Sequence, residues 1–138
     1  MAPNAEVARL LADFPAEEAR ALFLQGATAS RLARDGPDNL VSLQGFFTRR
    51  PVEVTEALLA EISADGPGVS LEDIRGIDKP TLVLGHGRDA IHPLAYAETL
   101  ASMIRGARLV VITAKADDRR RYVQDFRDAL HEFLVPLC

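Results

Sequence analysis

The sequence predicts an α/β protein in two parts: a helical half over residues 1–68, then a parallel βαβα unit over residues 69–138. Three observations carry this expectation. Up to Gly68 the apolar residues recur three and four apart between short Gly and Pro breaks, which is a helical period. After Pro80, two short runs, Thr81-Leu82-Val83-Leu84 and Leu109-Val110-Val111-Ile112, are mostly apolar without alternation. Such runs suit strands buried on both faces, as in parallel sheets. Helix-period segments lie between and after them, and strand, helix, strand, helix with short links is a βαβα pattern with a right-handed crossover.

In chain order, Asn4 is expected to cap a short helix with Val7, Leu10 and Leu11 on one face. Pro15 suits the first turn of a second helix, with Glu17 and Glu18 near its positive end and Gly26 beyond its last turn. Residues 27–35 form a third, stopped by Gly36-Pro37. Asp38 or Asn39 then caps a segment with Leu40, Leu43, Phe46 and Phe47 at helical spacing. Pro51 opens the clearest helix, whose apolar stripe is Val54, Leu58, Leu59 and Ile62. Asp65-Gly66-Pro67-Gly68 is the strongest break in the chain.

Beyond that break, Ser70 and Asp73 stand at capping-box spacing before a turn of helix over residues 71–74. The first strand ends at Gly85. Pro93 opens a helix reaching Ile104, with Leu94, Ala97, Leu100, Ala101 and Ile104 inward, and Arg105-Gly106 ends it. The second strand follows, then a last helix bearing Tyr122, Val123, Phe126, Leu130, Phe133 and Leu134. A two-stranded parallel sheet cannot cover its own edges or faces. Further strands are therefore expected, from self-association, from another chain, or from a missing N-terminal portion.

Composition narrows the function classes. Hydrophobic residues make up 48% of the 138, enough for a core. The net charge of -4 argues against nucleic acid and anionic membranes, which reward a basic face. No run approaches the roughly 20 apolar residues of a membrane span. The start, MAPNAEVARLL, lacks a basic stretch followed by an apolar core, so no secretory signal is expected. The one cysteine, Cys138, has no internal partner for a disulfide, and a reducing cytoplasmic location is the default.

The residues with chemistry to offer cluster after the first strand, in Gly85-His86-Gly87-Arg88-Asp89-Ala90-Ile91-His92-Pro93. In open parallel sheets functional residues gather at the carboxyl ends of strands, and this loop sits at one. His86, Asp89 and His92 are all ligand types, but their spacing matches no standard metal motif, so neither metal nor cofactor is expected. The plainer role for Asp89 is to cap the helix near Pro93, and His131 suits a surface position. Lys115, Asp117, Asp118 and Arg119-Arg120-Arg121 read as a solvated helix start, acids before bases, with a substrate-facing loop as the alternative.

Residues 77–112, IDKPTLVLGHGRDAIHPLAYAETLASMIRGARLVVI, resemble the penultimate strand, acid loop, helix and final strand of α/β-hydrolases. The likeness lies in a strand preceded by Pro-Thr, a glycine-containing loop ending in Asp, and His-Pro soon after. Ile104-Arg105-Gly106-Ala107 is similar to the family's Ile-Pro-Gly-Ala lead into its last strand, with Arg105 in place of proline. The resemblance covers about residues 71–134, and the helical half looks like the cap region only loosely. It implies that Asp89 is the triad acid, which would orient and support a catalytic histidine.

Two departures qualify it. Where the family places Gly-His after the last strand, this chain has Thr113-Ala114-Lys115-Ala116-Asp117-Asp118. None of Ser30, Ser42, Ser63, Ser70 and Ser102 has the flanking glycines of a nucleophile elbow. Without nucleophile and base, acyl transfer has no proton relay. The expectation is a hydrolase-family chain, of ester or acyl hydrolase ancestry, in a truncated or inactive form that lacks nucleophile and catalytic histidine. The alternatives are a non-catalytic oligomeric interaction module, and an active enzyme using His86 or His92 beside Asp89 on a small ester-type substrate in a site shared between subunits.

Overall fold

The computed structural model describes residues 2–66 and 68–135. Met1, Pro67 in the central break, and Cys138 lie outside the described residues. The chain divides into two compact units, Met1–Gly68 and Val69–Cys138. Eight helices and a two-stranded parallel sheet make up the secondary structure of the described residues. No helix among them is long and apolar enough to cross a membrane.

The first unit is helical throughout: α1 (Ala2–Asp13), α2 (Ala16–Gln25), α3 (Ala27–Asp35), α4 (Pro37–Phe46) and α5 (Val52–Ala64). Helix α1 packs chiefly on α5 and also on α2, and buries Val7, Leu10 and Leu11 as their spacing requires. Phe23, Leu32 and Leu59 close the core, and the rings of Phe23 and Phe47 lie 5.6 Å apart, tilted at 42°.

Three details depart from the sequence expectation. Asn4 lies within α1 rather than capping it. Helix α4 starts one residue before Asp38, with Gly36 as N-cap and Pro37 in the first turn, where the missing N–H of proline costs nothing. The stripe of α5 is rotated. Leu59 and Thr55 are buried, whereas Val54 is 62% exposed and Leu58 and Ile62 also face solvent. Residues four apart lie on one face of a helix, so Thr55 and Leu59 can point inward together while Val54, Leu58 and Ile62 share the adjoining face.

The second unit holds α6 (Leu71–Arg75), β1 (Leu82–Gly85), α7 (Leu94–Met103), β2 (Arg108–Val111) and α8 (Arg119–Leu134). Ser70 and Asp73 form the reciprocal capping box of α6: the Asp73 N–H donates to the Ser70 hydroxyl at 3.1 Å, and the Ser70 N–H donates to the Asp73 carboxylate at 2.7 Å. Strands β1 and β2 pair in parallel, with Leu82 opposite Arg108 and Gly85 opposite Val111. Helix α7 packs on both strands, and α8 on β1.

The strands are not buried on both faces. Val83 is the one buried residue of β1, and β2 is half-exposed, with Val111 57% accessible. No residue of α7 is buried, so the inward set expected there reduces to Ile104, just past the helix end. The physical reason is the width of the sheet. Among the described residues two strands pair, and two strands offer too little surface to sandwich the helices. The contrast with the first unit is direct: of the buried hydrophobic residues, eleven lie there and five in the second unit.

Candidate functional site

The structure brings His86, Asp89 and His92 to one place. All three line an open cavity of about 440 Å³ beyond the carboxyl end of β1, together with Tyr96 and Leu100 of α7 and Tyr122 and Phe126 of α8. Val83 and Ile112 form part of its apolar wall.

Gly85 ends β1 where α7 passes over the sheet. A Cβ at this position would lie 2.9 Å from Leu94 Cδ1 and 3.1 Å from Ala97 Cβ, so glycine lets helix and strand approach this closely without a shift of either neighbour. Asp89 Oδ1 accepts hydrogen bonds from the backbone N–H groups of Ile91 at 2.9 Å and His92 at 2.8 Å. These close the loop on itself. Helix α7 has Pro93 at its N-cap, so Asp89 folds the approach to the helix rather than capping it. The carboxylate is 21% exposed, and its Oδ2 stands 3.4 Å from His92 Nδ1 on a mostly exposed ring. The backbone N–H of Arg88 donates to His86 Nδ1 at 3.3 Å. Tyr122 meets His86 edge-on, with centroids 6.2 Å apart.

The loop after β2 lies alongside. Arg88 Nη1 donates to Asp117 Oδ1 at 2.6 Å, tying the two strand-end loops together. Asp118 caps α8 by accepting from the Arg121 N–H at 2.9 Å. Asp125 accepts from the Thr113 hydroxyl at 2.7 Å and the Thr113 N–H at 3.0 Å, and pairs with Arg121 at 2.7 Å. The Thr113 bonds, more than the Arg121 charge, hold the Asp125 carboxyl below the usual carboxylate range. The segment from Lys115 to Arg121 is thus a capped helix start with Asp117 drawn toward Arg88. His131 is exposed on α8.

Among the described residues, no group of three or more His, Cys, Asp or Glu side chains is placed to hold a metal ion. What the cavity offers is a carboxylate, two imidazoles and two phenols around apolar walls. That set can orient a polar group or accept a proton, but it contains no serine or cysteine nucleophile.

The sequence reading missed Tyr122 and Tyr96 as cavity residues, and the Arg88–Asp117 and Thr113–Asp125 links. Arg88 and Asp117 are 29 residues apart, and no periodicity within an element connects them. Asp118 was legible, since it stands three residues before the N–H it caps. No family model, curated protein or solved structure matches this chain.

Proposed function

We propose that the chain is an α/β-hydrolase-family protein, built as a cap-like helical region followed by the C-terminal βαβα part, and without hydrolytic activity of its own. One observation carries the reading. Asp89 is held by the backbone of its own loop at the carboxyl end of β1, the place a triad acid occupies, and the neighbouring loop after β2 presents Asp117 bound to Arg88 instead of a histidine. The segment β1–α7–β2–α8, read as the family's last two strands and helices, supports the same assignment. The imidazoles of His86 and His92 beside Asp89 have no serine or cysteine nucleophile among the cavity residues to activate.

A second reading is a non-catalytic module that completes its sheet with another chain. The exposure of Val111 and the small core of the second unit favour it.

Two measurements test the proposal. An experimental structure should superpose β1 to α8 on the end of a hydrolase sheet with a right-handed crossover, and a left-handed or differently ordered unit would refute the kinship. The full chain and Asp89→Asn should both fail to hydrolyse short-chain p-nitrophenyl esters above buffer. Turnover that Asp89→Asn abolishes without loss of circular dichroism would replace the inactive reading with an active site shared between subunits. Turnover indifferent to Asp89 would remove its triad-acid role.

A further inference from the structure

One face of α8 is apolar and partly exposed, and its Phe126 also borders the cavity beside Asp89. Val123, Phe126 and Leu130 are each about two-fifths exposed. They recur at spacings of three and four, so they form one ridge. A cavity of about 300 Å³ opens beside them, lined by Tyr122, Val123, Phe126 and Arg127. Arg119, Arg120 and Arg127 border the ridge and line a second hollow with Val123. Arg121 turns elsewhere, to Asp125. The face is therefore an apolar ridge with arginines on its flank.

That chemistry discriminates among occupants. Two copies of α8 packed antiparallel, ridge on ridge, would bring their arginine flanks to one side of the contact, where like charges repel. An acidic helix with an apolar stripe meets both the ridge and the charge. This chain contains one. On α5, Val54, Leu58 and Ile62 are exposed at i, i+4 and i+8, and the helix carries Glu53, Glu56 and Glu61 with no basic residue. Glu61 falls within about 20° of Val54 around the helix axis, at roughly 100° per residue, so its charge borders the stripe. Ridges spaced by four on one helix fit grooves between ridges on another.

We propose that the α8 face of one copy docks the α5 face of a second copy, with Glu61 against the arginine flank. A two-fold dimer makes this contact twice. The contact does not depend on hydrolase kinship, so either proposal can fail without the other.

Charge reversal in the full chain tests it by sedimentation equilibrium, with circular dichroism as the check on folding. The unaltered chain should dimerise, and added salt should weaken the dimer. Arg127→Glu alone and Glu61→Arg alone should each raise the dissociation constant at least tenfold. An equimolar mixture of the two variants should recover the original affinity, because one copy of each restores both contacts. A chain that is monomeric at every concentration overturns the proposal. So does a dimer indifferent to both reversals, which would point to the strand edge, or a mixture that fails to recover. If either variant misfolds, Leu130→Ser and Leu58→Ser replace the pair. Each should weaken the dimer tenfold or more, and unchanged affinity in both overturns the contact.

Discussion

Arg88 and Asp117 join the two loops that leave the carboxyl ends of β1 and β2, with 2.6 Å between guanidinium and carboxylate. The link crosses 29 residues of sequence and ties the loop that carries Asp89 to the loop after β2. Both side chains are between a third and a half exposed, so solvent screens the pair. A double-mutant cycle with Arg88→Ala and Asp117→Ala should give a coupling of about 0.5 kcal/mol or less in urea unfolding, falling with salt. A coupling of several kcal/mol would mean the loops form a buried unit in solution.

Gly85→Ala should destabilise the second unit by about 1–3 kcal/mol, because its methyl group meets the Leu94 side chain and the Cβ of Ala97, and Leu94 or α7 must shift to admit it. Gly87→Ala, two residues on, meets nothing within 4 Å and should be close to neutral. Thermal melts of the two variants, compared side by side, check this. Equal behaviour would show that α7 does not press on β1.

Acid sensitivity should follow Asp125. Its carboxyl is held below the ordinary value of 3.8 by the Thr113 bonds. A carboxylate whose folded value is depressed contributes stability that is present in full above its unfolded value. That contribution is lost as pH falls through the folded value. Asp125→Asn should therefore lower the urea midpoint above about pH 4 and converge with the parent below it. Asp73, lowered by the Ser70 hydroxyl and then the Ser70 backbone, should behave in the same direction. Parallel midpoint curves from pH 2 to 6 would contradict the assignment.

In the first unit, Leu59→Ala should cost about 2–5 kcal/mol, since the side chain is 2% exposed and its loss leaves a cavity. Leu58→Ala, one residue away and 45% exposed, should cost about 0.5 kcal/mol or less in the folding of that unit. Denaturant titration of each variant separates the two. If Leu58 proves the costlier, α5 faces its core as the sequence stripe suggested.

Much of the local structure was legible in the residues themselves. The helix Ala27–Asp35 follows from its period and from the Gly36-Pro37 stop. The Ser70–Asp73 box is a spacing rule satisfied in the structure, and the gathering of His86, Asp89 and His92 in one loop is visible in nine letters. These are local facts, decided by hydrogen bonds and sterics within a turn or two.

What tertiary structure alone decided is which apolar residues are inside. On α5 the sequence offered four, and packing against α1 chose Leu59 with Thr55 and left Val54, Leu58 and Ile62 outside. The strands read as fully buried, yet a pair with no further strand among the described residues leaves Val111 open. Periodicity specifies a face, but burial depends on what arrives to cover it, and that is set by contacts between distant segments. Arg88 finds Asp117, and Thr113 finds Asp125, for the same reason: the fold brings them together, and no pattern within either segment announces it.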